Sequence, residues 1–227
     1  MTLAPPKVAI LAGGFGTRLG ALTADLPKPM IEIGGRPFLE RVIDSFASRG
    51  LRDLVLLTGY RAGVIEEHFG SGSRFGVRIE YSIETEPLGT GGAIREAREL
   101  LGDRFLLTFG DVLRSFDYGR FSREHDGPTL AVYPRRTVGN VALDGDRVAR
   151  FDKRDRTLPY IDAGFSLMPA STIDLLPRAG ACSFEEIVYA TLAKRGELQG
   201  VVVDHNFYDI GEPEELARTR ALLEGKA

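Results

Sequence analysis

Three glycines follow an apolar run near the start of the chain, in Leu11-Ala12-Gly13-Gly14-Phe15-Gly16-Thr17-Arg18-Leu19. Without a Cβ to hold an anion off, the backbone NH groups of such a stretch can close around a phosphate. Taken alone, the glycines read first as an ordinary tight turn. Their spacing is not the dinucleotide fingerprint, which would need a third glycine where Leu19 stands, and it lacks the lysine of a P-loop. Two cations accompany the loop. Arg18 can fork onto two phosphate oxygens, and Lys28, in Leu26-Pro27-Lys28-Pro29-Met30, puts a point charge on a segment stiffened by two prolines. On its own Lys28 would pass for a free surface lysine. In Phe109-Gly110-Asp111-Val112 a carboxylate emerges at the end of an apolar strand, where a sheet binds its ligands. Asp209, in Phe207-Tyr208-Asp209-Ile210-Gly211-Glu212-Pro213-Glu214, stands before a helix opened by Pro213. Both stand at metal-ligand positions, although starting a turn or capping a helix is the commoner role for aspartate. A second glycine-rich stretch, Glu84-Thr85-Glu86-Pro87-Leu88-Gly89-Thr90-Gly91-Gly92-Ala93, joins a strand to a helix and could let backbone pack against a flat base; it also reads as a generous helix N-terminus.

These residues need a scaffold, and the hydrophobic pattern supplies one. Val8 to Ala12 predicts a strand buried on both faces, and Phe38, Leu39, Val42, Ile43 and Phe46 recur at helical spacing until Gly50. Leu54 to Leu57 is a strand again, which completes a βαβ unit. A helix around Val64, Ile65, His68 and Phe69, a strand at Val77 to Ile83, a helix at Ala93 to Leu101 and a strand at Phe105 to Phe109 continue the alternation. The pattern implies an open, mostly parallel sheet with ligands at the strands' carboxyl ends. The second half changes character: Thr129 to Tyr133, Asn140 to Leu143, Val148 to Phe151 and Ile161 to Met168 are strand-like pieces that suit an antiparallel or mixed extension. Helices return at Phe184 to Lys194 and at Glu214 to Leu223.

With 227 residues and 43% hydrophobic content the chain can close one core, and no linker-like or repetitive stretch divides it. One domain over 1–227 is expected, its alternating half at about 1–115 and its strand-rich half at about 116–227. The balance of 29 basic against 32 acidic residues gives a net charge of -3, and no basic run suits a nucleic acid backbone. One cysteine, Cys182, and three scattered histidines give neither a disulfide framework nor zinc-ligand spacing. The single cysteine suits a reducing cytoplasm, and the opening Met1 to Lys7 resembles neither a signal peptide nor a membrane span, so a soluble protein is expected. A homodimer is left open.

Together, Gly-Gly-x-Gly-Thr-Arg-Leu at Gly13 to Leu19 and the Pro27-Lys28-Pro29 segment resemble the signature of the sugar-1-phosphate nucleotidyltransferases, and the resemblance runs on to the C-terminal helix. It implies a Rossmann-like three-layer α/β/α fold with a mostly parallel mixed sheet, of the nucleotide-diphospho-sugar transferase type. It implies two substrates, a nucleoside triphosphate held by a nucleotide-binding half at about 1–115 and a sugar 1-phosphate held by a sugar-binding half at about 116–227, with no nucleic acid or membrane partner. The nucleotide would be held by Leu11, Ala12, Gly13, Gly14, Gly16 and Thr17 on the first loop, by Glu84, Pro87, Gly89 and Thr90 on the second, and by Gly110. Arg18 would bind the outer phosphates, Lys28 would bridge the reacting phosphates, and Asp111 with Asp209 would hold Mg²⁺; Arg18, Lys28 and Asp111 are the catalytic set.

For the sugar phosphate the resemblance points beyond Lys28 to Lys153, in Phe151-Asp152-Lys153, although Arg154 replaces the family's following proline. It points also to Asp162 and Gly164, in a strand that carries Asn-Ala-Gly elsewhere, and to Glu185. At helical spacing Glu185 could equally belong to a solvated face. A carboxylate at Glu84 only accepts hydrogen bonds, and guanine alone offers two adjacent donors, which favours GTP. Tyr81 to Ala93 and Gly34 to Glu40 look most like the D-glycero-α-D-manno-heptose 1-phosphate guanylyltransferases, with the mannose 1-phosphate enzymes next; a uridylyl- or thymidylyltransferase for a hexose 1-phosphate is a further alternative. A glycosyltransferase would show Asp-x-Asp at a strand end, but Asp144-Gly145-Asp146 reads as a hairpin turn. A non-catalytic sugar-nucleotide sensor should have lost Arg18, Lys28 or an aspartate, and all are present.

Overall fold

The structure, a computed structural model, describes residues 4–134, 138–203 and 207–225; the first three residues of the opening segment and His205 lie outside the described residues. Strands β1 (Lys7–Leu11), β2 (Glu32–Ile33), β3 (Arg36–Pro37), β4 (Asp53–Thr58), β5 (Arg78–Ile83), β6 (Arg104–Phe109) and β7 (Val112–Arg114) form the first half. The second half holds β8 (Thr129–Pro134), β9 (Val141–Asp144), β10 (Arg147–Phe151), β11 (Tyr160–Pro169), β12 (Gln199–Val202) and β13 (Phe207–Asp209). Nine strands make one sheet in the order β5-β4-β1-β6-β11-β8-β12-β10-β9. The first four run parallel, so the chain leaves β1, β4, β5 and β6 at one edge and delivers the glycine loop, Gly59, Glu84 and Asp111 there. β11 turns the sheet antiparallel against β6 and β8, and β12 lies parallel to β8. Asp144 to Asp146 is the predicted hairpin, joining β9 to β10 in antiparallel register.

Helices cover both faces. Successive residues of β1 point to opposite sides, with Val8 and Ile10 in one core and Ala9 in the other. The first core takes helix α1 (Phe38–Ala47), which buries Phe38, Leu39, Val42, Ile43 and Phe46 after Pro37 fixes its entry, and helix α2 (Ala62–Phe69). The second takes α3 (Gly89–Glu96) and α4 (Arg98–Leu101) with Phe184, Val188 and Leu192. The result is a three-layer α/β/α arrangement.

Several elements differ from the sequence expectation. The helix expected from Ala93 begins at Gly89 and breaks at Ala97, and the one expected from Phe184 opens as a π turn over Glu185–Tyr189 before α6 (Ala190–Lys194). Helix α5 (Tyr118–Glu124) is short, capped by Asp117 through the Arg120 NH at 2.9 Å, and too brief for periodicity to reveal. α7 (Pro213–Leu223) starts one residue before the expected helix. β12 has no alternation to betray it because Gly200 interrupts it; the Leu143 side chain fills the space that a Cβ there would need. Among the described residues β7 and β13 pair with each other alone, as a two-stranded ribbon beside the main sheet.

Candidate active site

The C-terminal edge of the parallel strands encloses a cleft of about 350 Å³, within the range of small-ligand sites. Its floor is the first glycine loop: Leu11, Ala12, Gly13, Gly14, Gly16 and Thr17 all line it. Backbone bonds hold that loop to its neighbours, from Ala12 N to Leu57 O at 2.8 Å and from Gly110 N to Leu11 O at 2.9 Å. A Cβ on Gly14 would meet nothing within 4 Å, so this part of the loop is open to a ligand. Gly110 itself is not among the lining residues; it packs beneath them.

Lys28 and Asp111 line the same cleft and form an ion pair with each other, both mostly buried. Lys28 opens a 3₁₀ turn, Lys28–Met30, that starts after Pro27 and contains Pro29, so its backbone is fixed as the prolines suggested. Asp209 reaches Asp111 through the ribbon: in the register of β7 and β13 it lies opposite Val112, and Ile210 N donates to Asp111 O at 3.2 Å. Burial, and after it the charge of Asp111, raises the Asp209 carboxyl above its ordinary value; Gly211 N, 2.5 Å from Oδ1, and Lys28 pull the other way. A buried carboxyl whose ionisation is opposed by a neighbouring aspartate's charge is a place where a cation would be welcome. Among the described residues no group of three or more His, Cys, Asp or Glu side chains converges. Two carboxylates would offer oxygen donors of the kind a hard ion such as Mg²⁺ takes, since that ion keeps waters and accepts phosphate oxygens as further ligands. Arg18 also lines the cleft, but its guanidinium is engaged by Glu212 at 2.7 Å across the mouth, so a phosphate would compete with that exposed pair.

Glu84, Pro87, Gly89 and Thr90 form the opposite wall. Glu84 lies flat on two glycines: a Cβ at Gly13 would stand 2.9 Å from its Oε1, and one at Gly59 would stand 2.6 Å from its Cγ. Burial raises its carboxyl, and its Oε2 already accepts from Leu88 N at 3.2 Å. A two-acceptor pairing with a base edge would thus fall mainly to Oε1 and the lone pair that Leu88 leaves. Phe15 and Tyr60, with ring centroids 5.1 Å apart, stand beside this wall. Gly89 has a second, structural reason for being glycine. Its φ is +66° and a Cβ would lie 2.5 Å from the Cys182 carbonyl oxygen, so the glycine also lets the Cys182 segment dock while it lines the cleft. Thr90 likewise accepts from Phe184 N at 2.9 Å and donates to Glu185 Oε2 at 2.7 Å, tying the two halves together.

The sugar-side residues gather beyond that wall, outside the lining of the main cleft. The solvated-face alternative for Glu185 fails: its side chain is 2% exposed, because the π turn rotates it inward. Burial alone would raise its carboxyl, but Lys153 Nζ at 3.2 Å and the hydroxyls of Ser183 and Thr90, each at 2.7 Å, outweigh that and lower it. All three bond Oε2, and Oε1 is buried without a protein partner, so the site retains an acceptor for a ligand hydroxyl. Asp162 Oδ1 takes Gly164 N at 2.7 Å, and Asp162 N donates to Asn140 Oδ1 at 2.9 Å. Burial pushes the Asp162 carboxyl up to about 6, and Glu185 adds to the rise.

Arg114 escaped the sequence reasoning. It is 3% exposed, and it donates to Ala163 O at 2.5 Å, Thr108 Oγ1 at 2.9 Å and Val112 O at 3.3 Å. A Cβ on Gly164 would stand 2.6 Å from its Nη2. One buried guanidinium thereby joins the ribbon that carries Asp111 and Asp209 to the strand that carries Asp162. The signal was a lone arginine inside the apolar run Val112-Leu113-Arg114-Ser115-Phe116.

The profile of the family described as nucleotidyl transferase matches residues 7–136. The mannose-1-phosphate guanylyltransferase of Mycobacterium tuberculosis is 35% identical over 227 residues, covering 94% of this chain and 63% of that protein. The D-glycero-alpha-D-manno-heptose 1-phosphate guanylyltransferase of Campylobacter jejuni is 32% identical over 214 residues, covering 92% of this chain and 96% of that protein. The chain thus spans less than two thirds of the first relative and nearly all of the second. The crystal structure of HddC from Yersinia pseudotuberculosis complexed with GMP-PN aligns with a TM-score of 0.81 at 28% identity, covering 96% of this chain and 99% of that one.

Proposed function

Since this chain belongs to the nucleotidyl transferase family, we propose that it transfers GMP from GTP to D-glycero-α-D-manno-heptose 1-phosphate with Mg²⁺, giving the GDP-sugar and pyrophosphate. The observation that carries the reaction type is the convergence on one cleft edge of an open glycine loop, Lys28 and the Asp111–Asp209 pair. The sugar rests on length: the chain matches the heptose enzyme along 96% of that protein. The higher identity to the mycobacterial protein supports a second reading, mannose 1-phosphate as acceptor.

The nucleophile is an oxygen of the sugar phosphate, largely ionised at neutral pH because its second pKa is near ~6, so no strong general base is needed. It attacks the α-phosphorus; the new P–O bond forms as the bond to the β-phosphate bridge breaks, and pyrophosphate leaves with the electron pair. The glycine loop binds the triphosphate through backbone NH groups. Lys28 offsets repulsion between the two anions, and Glu84 faces the base edge. Mg²⁺ held by Asp111 and Asp209 would neutralise charge on the reacting phosphates. Lys153 and Glu185 orient the sugar phosphate from the far wall.

A matrix of nucleoside triphosphates against sugar 1-phosphates, scored by pyrophosphate release with Mg²⁺ and with EDTA, tests this. GTP with a manno-configured acceptor should dominate, activity should stop with EDTA, and Glu84→Gln should erode the preference for GTP. Robust turnover of UTP or dTTP with glucose 1-phosphate, and none of GTP with manno-configured acceptors, would overturn it.

A further inference from the structure

A second, smaller cavity of about 150 Å³ lies on the sugar side, walled by Gly139, Asn140, Lys153, Asp155, Arg156 and Ile161 among others. Its walls are built rather than incidental. Gly139 N donates to Arg156 O at 3.1 Å, Leu158 N to Gly139 O at 3.0 Å, Asn140 N to Tyr160 O at 2.8 Å and Asp152 N to Asn140 O at 3.0 Å. The carbonyl of Leu158 fills the space that a Cβ on Gly139 would need. Two of the lining side chains also belong to the sugar site. Lys153 reaches Glu185, and Asn140 Oδ1 accepts from Asp162 N.

That last bond fixes the Asn140 amide with its oxygen on β11, which leaves its NH₂ group available to the cavity. Neither that NH₂ group nor the Arg156 guanidinium has a hydrogen bond or ion pair among the described residues. Asp155, by contrast, is already engaged by Thr157 Oγ1 at 2.7 Å and by Arg150 at 3.1 Å. The cavity therefore offers spare donors and asks for oxygen acceptors. At ~30 Å³ per water it has room for about five waters, and so for two or three hydroxylated carbons.

We propose that this cavity receives the hydroxylated exocyclic arm of the acceptor sugar, so that Arg156 and Asn140 select a seven-carbon over a six-carbon manno-configured sugar 1-phosphate. The proposal rests on the guanylyltransferase reading above and deepens it. A six-carbon sugar carries one exocyclic carbon where the seven-carbon sugar carries two, and only the longer arm brings a second hydroxyl to the donors. Ring and phosphate recognition stay with Glu185, Lys153 and Lys28, so the discrimination is separable from the chemistry.

The test compares kcat/KM for D-glycero-α-D-manno-heptose 1-phosphate and for α-D-mannose 1-phosphate, with GTP, in the wild type and in Arg156→Met, which keeps most of the stem and removes the charge. Loss of one hydrogen bond from a charged donor corresponds to roughly a tenfold effect. The variant should therefore lose about tenfold on the heptose substrate and less than about twofold on mannose 1-phosphate, with an unchanged melting temperature. Asn140→Ser should lose on the heptose substrate in the same direction. Equal losses on both sugars, or no loss on the heptose, would overturn the proposal. A wild type that uses mannose 1-phosphate but not the heptose overturns this proposal and leaves the guanylyl reading standing; one that uses neither with GTP overturns both.

Discussion

Replacing Asp162 by asparagine should make the protein more stable, and more so as the pH rises. The carboxyl moves from 3.8 to about 6 on folding because burial disfavours its charge, with Glu185 adding to the rise and Gly164 N, Arg114 and Lys153 opposing it. A carboxyl whose folded value is raised contributes stability that is fully present below its unfolded value, near 3.8, and lost as the pH climbs through about 6. Roughly two units at ~1.36 kcal/mol each would give about 3 kcal/mol. Asp162 is only half-buried, so water reduces this to ~1–2 kcal/mol. Asparagine keeps an acceptor for Gly164 N and carries no charge. Urea unfolding of both proteins from pH 4 to pH 8 should show curves that nearly coincide at pH 4 and separate by ~1–2 kcal/mol at pH 8, the variant being the more stable. Parallel curves, or a wild type that gains on the variant as the pH rises, would refute the reasoning.

Lys28→Ala should lower kcat by about 100-fold or more, as loss of a preorganised charge at reacting phosphates does, while KM for GTP changes far less; steady-state pyrophosphate release distinguishes the two. Arg114→Met removes the donors to Ala163 O, Thr108 Oγ1 and Val112 O and leaves buried acceptors unmade. It should cost ~2–4 kcal/mol in urea unfolding and raise KM for the sugar phosphate, with Arg114→Lys recovering only part of both.

The local chemistry was legible in the sequence because it is written in neighbouring residues. A glycine loop directly after an apolar strand, a lysine between two prolines, and Gly110-Asp111 at a strand end each carry their own geometry, since a parallel strand of known direction must deliver them to one edge. The βαβ half was legible for the same reason: long apolar periods leave little choice of element. What the tertiary structure decided are relations between residues far apart in the chain. Asp209 meets Asp111 only because β13 pairs with β7, three residues on each side and too short to show a period. Glu185 is buried, not solvated, because a π turn rotates it onto Thr90, 95 positions away. Gly89 owes its glycine to the Cys182 carbonyl, and Arg114 its burial to a carbonyl on β11. Sequence spacing determines which groups a strand or loop presents; which partner satisfies a buried polar atom depends on packing across the whole sheet, and only the folded chain supplies that.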